Sequence, residues 1–276
     1  MKLSNAVKRI WYHNKNNSPF LSGDVFADLA DVSVYPPKLR SKNPSRSEIS
    51  NAKIIFCPSG KIEEFLNDYG RNLVASILIF GNGDDDFYSF DYKIPKSVKR
   101  IYLQNSMISD SRFSCLPIGI ENIRFIRNGF PKLYMNTKNS NAVNKIMLGP
   151  FSNTHPERNE FETRKYSTHY VDRYFHMLEP KFFDKTSRNY NYMICPRGNG
   201  IDTHRFWECL YRGVIPIVKD SQWVKSIDYL NLNFRVVNEW SESELIEIVN
   251  DDKSNLCTVS DNLWISSWIE RFKKEI

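Results

Sequence analysis

The chain has 276 residues, which suits one large domain or two of about 130 residues each. Hydrophobic residues make up 41% and aromatic residues 14% of it, enough for a sizeable core, yet no stretch approaches the ~20 apolar residues of a membrane-spanning helix. The net charge of +6 is a mild bias toward anionic partners, but it is spread thinly and forms no basic run that would indicate nucleic-acid binding.

The N-terminal segment and the cysteines indicate the cellular compartment. MKLSNAVKRIWYHNKNNSPF lacks the apolar run of a signal peptide, so we expect a soluble, cytoplasmic protein. The five cysteines lie far apart without CxxC spacing, which predicts buried free thiols instead of a zinc site or a disulfide framework. They are Cys57, Cys115, Cys195, Cys209 and Cys257.

The first half of the chain alternates apolar runs with Gly, Asn and Asp. The pattern predicts strands within 53–60, 74–86, 98–105 and 114–122, and a helix over 61–70. Such near-continuous apolar strands are typical of a sheet that is covered on both faces. A polar, Asn-rich stretch without periodicity, residues 128–144, predicts a linker.

A second series of strands and helices follows this linker. Strands are predicted within 145–153, 190–200, 214–218 and 233–238, and helices over 155–166, 170–180 and 203–213. Ser241 and Glu244 predict a capping box, and Trp264, Trp268 and Phe272 form the stripe of a docked amphipathic helix. The repeated alternation predicts an α/β fold with two Rossmann-like lobes, residues 1–135 and 136–276.

One stretch, CPRGNGIDTHRFWECLYRGVIPIV at residues 195–218, has the order strand, Gly-bearing loop and helix start. Gly198 and Gly200 allow positive φ and a close approach of backbone N–H groups to a ligand. Asp202 or Thr203 can cap the helix, whose N-terminus favours a phosphate. The planar guanidinium of Arg197 can donate two hydrogen bonds to the same anion. The spacing predicts either a phosphate site or a plain connecting turn.

The helix in this stretch has two distinct faces. His204 and Glu208 lie four residues apart and share a face with Arg212, opposite the apolar residues. This face is either solvated or functional. In the functional interpretation, His204 faces an anion near the helix start and Glu208 accepts hydrogen bonds from vicinal hydroxyls such as those of a ribose.

The same 24 residues resemble the C-terminal signature of exostosin-like, family 47-type glycosyltransferases and their bacterial relatives. That signature runs Pro-Arg-Gly-x-Gly-x-Asp-Thr-His-Arg, Trp-Glu-x-Leu and Gly-x-Ile-Pro-Ile-Val. The segments ILIFGNGDDDF (77–87) and CLPIGIEN (115–122) are weaker similarities to the bacterial relatives. The resemblance implies a GT-B fold, in which two Rossmann-like lobes face a central cleft.

The resemblance also implies a site for a nucleotide diphosphate sugar in the C-terminal lobe. Glu208 would hold the ribose, while the loop and the start of the helix would hold the diphosphate without a metal or another cofactor. Asn153, His155 and Arg158, in the loop after Leu148, are expected to line the cleft from the other side. The full donor set is Arg197, Gly198, Asn199, Gly200, Asp202, Thr203, His204, Arg205, Glu208, Asn153 and Arg158.

The run Asp84-Asp85-Asp86 leaves three alternatives open. It is a metal-binding DxD motif as in GT-A enzymes, a cleft-facing loop whose aspartate deprotonates the acceptor hydroxyl, or a solvated turn. The candidate catalytic residues are therefore Asp84, Asp86 and His204. A base at this position predicts inversion of the sugar stereochemistry, and its absence leaves a retaining route open.

The expected activity is transfer of a hexosyl or pentosyl group from a donor that is more often UDP-linked than GDP-linked. The acceptor would be a glycan or a lipid-linked glycan of a bacterial surface polysaccharide, bound by the N-terminal lobe. The positive charge fits peripheral contact with the inner face of the membrane. The alternatives are a non-catalytic module that binds a nucleotide sugar or glycan, and a nucleic-acid-binding protein, which the lack of a basic cluster disfavours.

Overall fold

The computed structural model describes residue 12 and residues 15–37, 42–251 and 260–276. Within these ranges the chain forms two parallel sheets of five strands each. The first sheet has the order β1-β2-β3-β4-β5, so that its strands follow one another across the sheet as they do along the chain. These strands are Val32–Ser33 (β1), Ile54–Pro58 (β2), Ile77–Gly81 (β3), Arg100–Gln104 (β4) and Phe113–Leu116 (β5).

The predicted strands of the first half are confirmed, with shorter bounds. Their side chains are almost all buried because helices and the second lobe cover the two faces of the sheet. The helices of this half are Gly23–Leu29 (α1), Arg46–Asn51 (α2) and Ile62–Tyr69 (α3). Two of these helices and strand β1 precede the first element that the sequence pattern identified.

The second sheet has a crossover in its strand order, β10-β9-β8-β6-β7. Chain connections leave the neighbouring strands β6 and β8 in opposite directions, which opens a crevice at their carboxyl ends. The strands are Val143–Leu148 (β6), Val171–Arg173 (β7), Tyr190–Ile194 (β8), Ile215–Lys219 (β9) and Arg235–Val237 (β10). The helices are Pro156–Thr163 (α4), Pro180–Ser187 (α5), His204–Arg212 (α6), Gln222–Ser226 (α7), Glu242–Asn250 (α8) and Ile265–Glu275 (α9).

The helix predicted over residues 170–180 is wrong. Val171 pairs with Ile146 of β6, and strand β7 becomes the edge of the second sheet. The helix in this region begins only at Pro180, because proline is favoured at the first helical position and disfavours helix in the residue before it. Pairing with a neighbouring strand therefore overrides the local helical pattern.

The last helix, α9, crosses to the first lobe and packs on its sheet. The buried Trp268 ring lies 5.0 Å from the Phe26 ring and 5.5 Å from the Tyr102 ring, between ring centres. The Tyr102 hydroxyl donates to the Glu275 carboxylate at 2.8 Å. The predicted boundary at residues 135 and 136 lies in the segment between the two sheets, and division of the chain there stays a prediction.

The α/β fold with two Rossmann-like lobes that face a central cleft, the GT-B arrangement, is confirmed. The four cysteines within the described ranges are buried free thiols, as predicted, and Cys257 lies outside those ranges. Among the described helices, none combines the length and apolar character that a membrane crossing requires.

Candidate functional site

A cleft of about 380 Å³ lies at the carboxyl ends of β6 and β8, where the strand order of the second sheet reverses. Its size falls within the range of sites for small ligands. The second lobe supplies most of its wall, through the loop after β6, the loop after β8 and the first turns of α6. From the predicted set the lining includes Arg158, Gly198, Asn199, Gly200, Asp202, Thr203, His204, Arg205, Glu208 and Asp84.

The loop after β8 is held against the first lobe by hydrogen bonds. Asp86 accepts from Arg197 at 2.7 Å with one carboxylate oxygen and from the backbone N–H of Ile201 at 2.9 Å with the other. Asp84 accepts from the Asn199 amide at 3.1 Å. The acidic run therefore positions the Gly-bearing loop across the interface between the lobes.

Gly200 is required by close packing and not by its backbone angles. A Cβ atom at this position would lie 2.6 Å from the side-chain nitrogen of Asn105, which is buried. The Asn105 carbonyl oxygen accepts from the backbone N–H of Asp202 at 3.0 Å, so this side chain is fixed in place. Neither Gly198 nor Gly200 uses the positive φ that glycine allows.

The N-terminus of α6 opens into the cleft without a side-chain cap. Thr203 is the N-cap residue, but its hydroxyl accepts no hydrogen bond from the helix. The Asp202 carboxylate accepts instead from the Trp207 indole at 2.7 Å and from the backbone N–H of Ile118 at 2.8 Å. The first N–H groups of the helix are thus left for an anion.

Burial makes Asp202 an unusual acid. Its carboxyl group is enclosed by the protein, and desolvation raises its pKa to about 7, although the hydrogen bonds from Ile118 and Trp207 act in the opposite direction. Both of its oxygens contact the protein. Asp202 therefore holds the start of α6 in place through these hydrogen bonds and is not free to bind a nucleotide sugar.

Two arginines beside the helix N-terminus carry positive charge into the cleft. The guanidinium of Arg205 lies 5.7 Å and that of Arg158 5.8 Å from the centre of the Phe151 ring. Among the described residues, neither arginine forms an ion pair with a carboxylate. Burial, together with repulsion from Arg205, lowers the pKa of Arg158 to about 10. An anion at this position would relieve that repulsion.

Backbone carbonyl groups hold both of these arginines in position. Arg158 donates to the carbonyl of Arg197 at 2.8 Å, and Arg205 donates to the carbonyl of Pro150 at 3.1 Å. These neutral acceptors orient the two guanidinium groups without neutralising their charge. The geometry matches a site for a di-anionic group such as a phosphate or diphosphate.

Glu208 borders the cleft but belongs to a buried network. Its carboxylate accepts from the Tyr134 hydroxyl at 3.1 Å and from Arg212 at 3.3 Å, and Arg212 also donates to Asp184 at 3.1 Å. Burial and Glu208 together raise the pKa of Tyr134, which keeps its hydroxyl a donor. The interpretation of this helix face as solvated is therefore wrong. The remaining lone pairs of Glu208 can still accept hydrogen bonds from hydroxyl groups of a ligand.

His204 lines the cleft with one ring nitrogen engaged. Its Nδ1 lies 2.7 Å from the backbone carbonyl oxygen of Gly119 in the first lobe. A carbonyl oxygen only accepts, so Nδ1 carries the proton and the neutral ring has its lone pair on Nε2. The lone pair of Nε2 is therefore available to a ligand in the cleft.

Three residues predicted to bind the donor or line the cleft lie away from it. The side chain of Arg197 pairs with Asp86 and lines a separate small cavity near Glu157, so it does not form the predicted diphosphate contact in this arrangement. Asn153 is exposed and lines another neighbouring cavity. His155 caps α4 by accepting from the backbone N–H of Glu157 at 3.2 Å.

Several cleft residues escaped the sequence-based reasoning. Thr154 and Phe151 lie in the same loop as the predicted Asn153, and the motif gave no signal for either of them. Leu178 and Phe183 form an apolar end of the cleft beside Glu208. Leu178 comes from the region 170–180 that was predicted wrongly as a helix, and Phe183 comes from helix α5 after it. Correct assignment of strand β7 would have placed this segment at the carboxyl end of the sheet.

Comparison with known proteins gives a distant structural match. No family model matches the chain, and no curated protein matches it. It is similar to a solved structure titled "Crystal Structure of alpha1,3-Fucosyltransferase", at 14% sequence identity and a TM-score of 0.40, with 81% of this chain and 77% of that chain covered. The chemistry assigned to the cleft below rests on its own residues.

Proposed function

We propose that the protein is a glycosyltransferase that binds a nucleotide diphosphate sugar, preferably UDP-linked, in the cleft of the second lobe. The observation that carries this proposal is the pair of guanidinium groups, Arg158 and Arg205, without carboxylate partners among the described residues. They flank the uncapped N-terminus of α6. Helix N-H groups and arginines together form a strong site for a diphosphate.

Transfer of the sugar releases a nucleoside diphosphate, whose leaving oxygen gains negative charge as the glycosidic bond breaks. Groups that bind this charge in the transition state accelerate the reaction. Arg158, Arg205 and the first N–H groups of α6 perform this task in our proposal. A bound metal ion is not needed for it, and metal independence is part of what we propose.

The other end of the donor would lie between Glu208 and the apolar side chains of Leu178 and Phe183. The Glu208 carboxylate is held by Tyr134 and Arg212, so it presents its free lone pairs in a fixed orientation. This arrangement supports the role that the resemblance implies, in which Glu208 accepts hydrogen bonds from the ribose hydroxyls.

In our proposal, one of two groups accepts the proton of an acceptor hydroxyl. Asp84 is exposed at the cleft and carries one hydrogen bond, from Asn199. His204 presents Nε2 from the opposite lobe. Asp86 is the weaker candidate, because both of its oxygens are engaged by Arg197 and Ile201. With either base the reaction would invert the stereochemistry at the sugar carbon.

The signature residues support an exostosin-like enzyme that acts on a glycan or lipid-linked glycan in cytoplasmic assembly of a bacterial surface polysaccharide. The same fold also serves a non-catalytic module that binds nucleotide sugars. Titratable groups at the cleft favour the enzyme. Release of sugar in a turnover assay distinguishes the two functions.

The test is calorimetric titration of the protein with UDP, GDP and CMP, with and without EDTA. We expect micromolar binding of one nucleoside diphosphate that EDTA leaves unchanged. Arg205→Ala should weaken this binding by roughly ten- to a hundredfold, the usual loss for a charged hydrogen bond. Glu208→Gln, which keeps the shape of the buried network, should weaken it through the ribose.

Arg112→Ala is the matched control, because Arg112 is exposed and pairs with Asp110 far from the cleft. It should bind nucleotide as the unchanged protein does. Absence of binding by all three nucleotides would contradict the donor site. Binding that requires a metal and survives Arg205→Ala would move the site to Asp84 and Asp86.

A further inference from the structure

An exposed apolar surface borders the cleft at the start of helix α5. Four of its side chains, Met135, Phe175, Met177 and Phe182, are 72%, 66%, 67% and 65% exposed. We call this set the rim patch. Large apolar side chains are seldom so exposed in one group, and such groups usually mark a surface that binds a partner or a membrane.

The residues of the rim patch come from two segments that lie next to each other in the fold. The turn Pro131–Leu133 packs against α5. The Arg212 guanidinium lies 4.6 Å from the Tyr134 ring and 5.4 Å from the Phe183 ring, which joins the two segments underneath. Met135 directly follows Tyr134 in sequence and Phe182 directly precedes Phe183, and both are exposed.

The charges around the rim patch are mostly positive. Residues 131–136 and 174–185 contain three exposed lysines, Lys132, Lys181 and Lys185, and one exposed acid, Glu179. The second acid, Asp184, is buried and paired with Arg188 and Arg212. Apolar side chains surrounded by lysines are the pattern of a surface that inserts at an anionic lipid interface.

We propose that the rim patch docks the protein on an anionic membrane surface. Phe175 and Phe182 would enter the headgroup region while Lys181 and Lys185 contact lipid phosphates. Met177 belongs both to the rim patch and to the cleft wall, so docking brings the cleft mouth to the membrane plane. Its use for a lipid-carried acceptor rests on the proposed function, but the docking itself does not.

The test is co-sedimentation with vesicles of phosphatidylcholine alone or of equal parts phosphatidylcholine and phosphatidylglycerol, without nucleotide. We expect binding to the anionic vesicles that falls with added salt, and little binding to the neutral ones. The variant Met135→Ser/Phe175→Ser/Phe182→Ser should lose most of it. Lys181→Glu/Lys185→Glu should lower the partition coefficient by about tenfold or more.

Matched controls come from exposed residues elsewhere. The variant Val74→Ser/Tyr88→Ser/Val236→Ser removes apolar side chains that are 44%, 64% and 43% exposed and should bind vesicles normally. Lys93→Glu/Lys96→Glu is the control for charge. A melting curve and a UDP titration of each variant show that the fold and the donor site are intact, independently of the membrane.

Three results would overturn the proposal. The first is equal vesicle binding by the rim-patch variants and their controls, and the second is no binding to anionic vesicles by the unchanged protein. The third is a concentration-dependent dimer in solution that the rim-patch variants abolish, which would assign the surface to a second copy of the chain. A failed UDP titration with intact vesicle binding would reject the donor site and leave membrane docking in place.

Discussion

Arginine has two different roles on helix α6, although the motif presents both residues in the same way. Arg212 is 2% exposed and ion-paired with Asp184 and Glu208, so its charge is neutralised inside the protein. Arg205 lies seven residues earlier and contacts a backbone carbonyl, a methionine sulfur and two aromatic rings, and it has no carboxylate partner among the residues that the structure describes. In our proposal the unpaired charge of Arg205 binds the donor, whereas the buried, paired charge of Arg212 is structural.

Asp202 gives a pH dependence of stability whose sign follows from its burial. Its pKa is 3.8 in an unfolded chain and about 7 in the folded protein. Between these values the folded protein keeps a proton that the unfolded chain releases. This contribution to stability is therefore fully present below pH 3.8 and is lost as the pH rises through about 7.

Thermal unfolding of the unchanged protein and of Asp202→Asn between pH 4.5 and pH 8 (roughly the span of the shifted titration) isolates this effect. The melting temperature of the unchanged protein should fall with rising pH relative to that of the variant, which cannot titrate. Asp228→Asn, at an exposed position, is the control and should follow the unchanged protein. A difference that is the same at every pH would show that Asp202 stays ionised, held by its N–H donors.

At the scale of elements, the sequence predicted the parts whose pattern is local. Neighbouring residues alone determine the apolar runs of strands β2, β3, β4 and β8. They also determine the amphipathic helix α6 and its end at Gly213, which takes the expected left-handed φ of 72°. Strand β7 has only three residues and exists because β6 pairs with it. Pairing between distant strands leaves little trace in a short segment.

Prediction of the candidate site had the same limit. The motif indicates the helix N-terminus and Arg205 as parts of a donor site, and the loop after Leu148 indicates Arg158; their roles stay predictions. Neither segment indicates the pairing of Arg197 with Asp86, because 111 residues separate the two partners and only the packing of the lobes brings them together. A motif thus identifies which residues have chemistry, while the fold decides which of them face the ligand.

Gly200 connects the loop to its packing, and replacement by alanine tests the connection. The added methyl group would overlap the fixed side chain of Asn105. We expect Gly200→Ala to lower the free energy of unfolding by about 1–3 kcal/mol, as overpacking usually does, and to weaken UDP binding by displacing the loop. Denaturant unfolding and calorimetry measure the two effects.

Gly60→Ala is the matched control, since nothing lies within 4 Å of a Cβ atom at that position. It should leave both stability and UDP binding nearly unchanged. If Gly200→Ala behaves in the same way, Asn105 can move aside, and the close contact does not explain the glycine.

At the scale of the whole molecule, the two lobes are joined at several places at once. Helix α9 of the C-terminal segment packs on the first sheet, and the loop after β8 binds the first lobe. The Tyr211 hydroxyl donates to the backbone carbonyl of Leu263 and accepts from the backbone N–H of Leu21. The cleft therefore lies between two lobes whose relative position is fixed by these contacts. We infer that donor binding meets a formed site and not one assembled by closure of distant lobes.

The pair Asp86 and Arg197 measures how strongly these lobes are coupled. Their side chains are only 15% and 24% exposed, so solvent screens the pair less than it screens a surface ion pair. A double-mutant cycle with Asp86→Asn and Arg197→Met, followed by urea unfolding, should give a coupling energy of about 1–3 kcal/mol. The exposed pair Lys61 and Glu64 is the control and should give about 0.5 kcal/mol or less.

The same variants separate the structural role of this pair from a role in binding or catalysis. If the pair only joins the lobes, Asp86→Asn and Arg197→Met should change UDP affinity similarly and by a few-fold at most, in parallel with the loss of stability. A much larger loss of affinity in Arg197→Met alone would mean that Arg197 leaves Asp86 and binds the diphosphate. A loss of turnover in Asp86→Asn with unchanged affinity and stability would return Asp86 to the position of catalytic base.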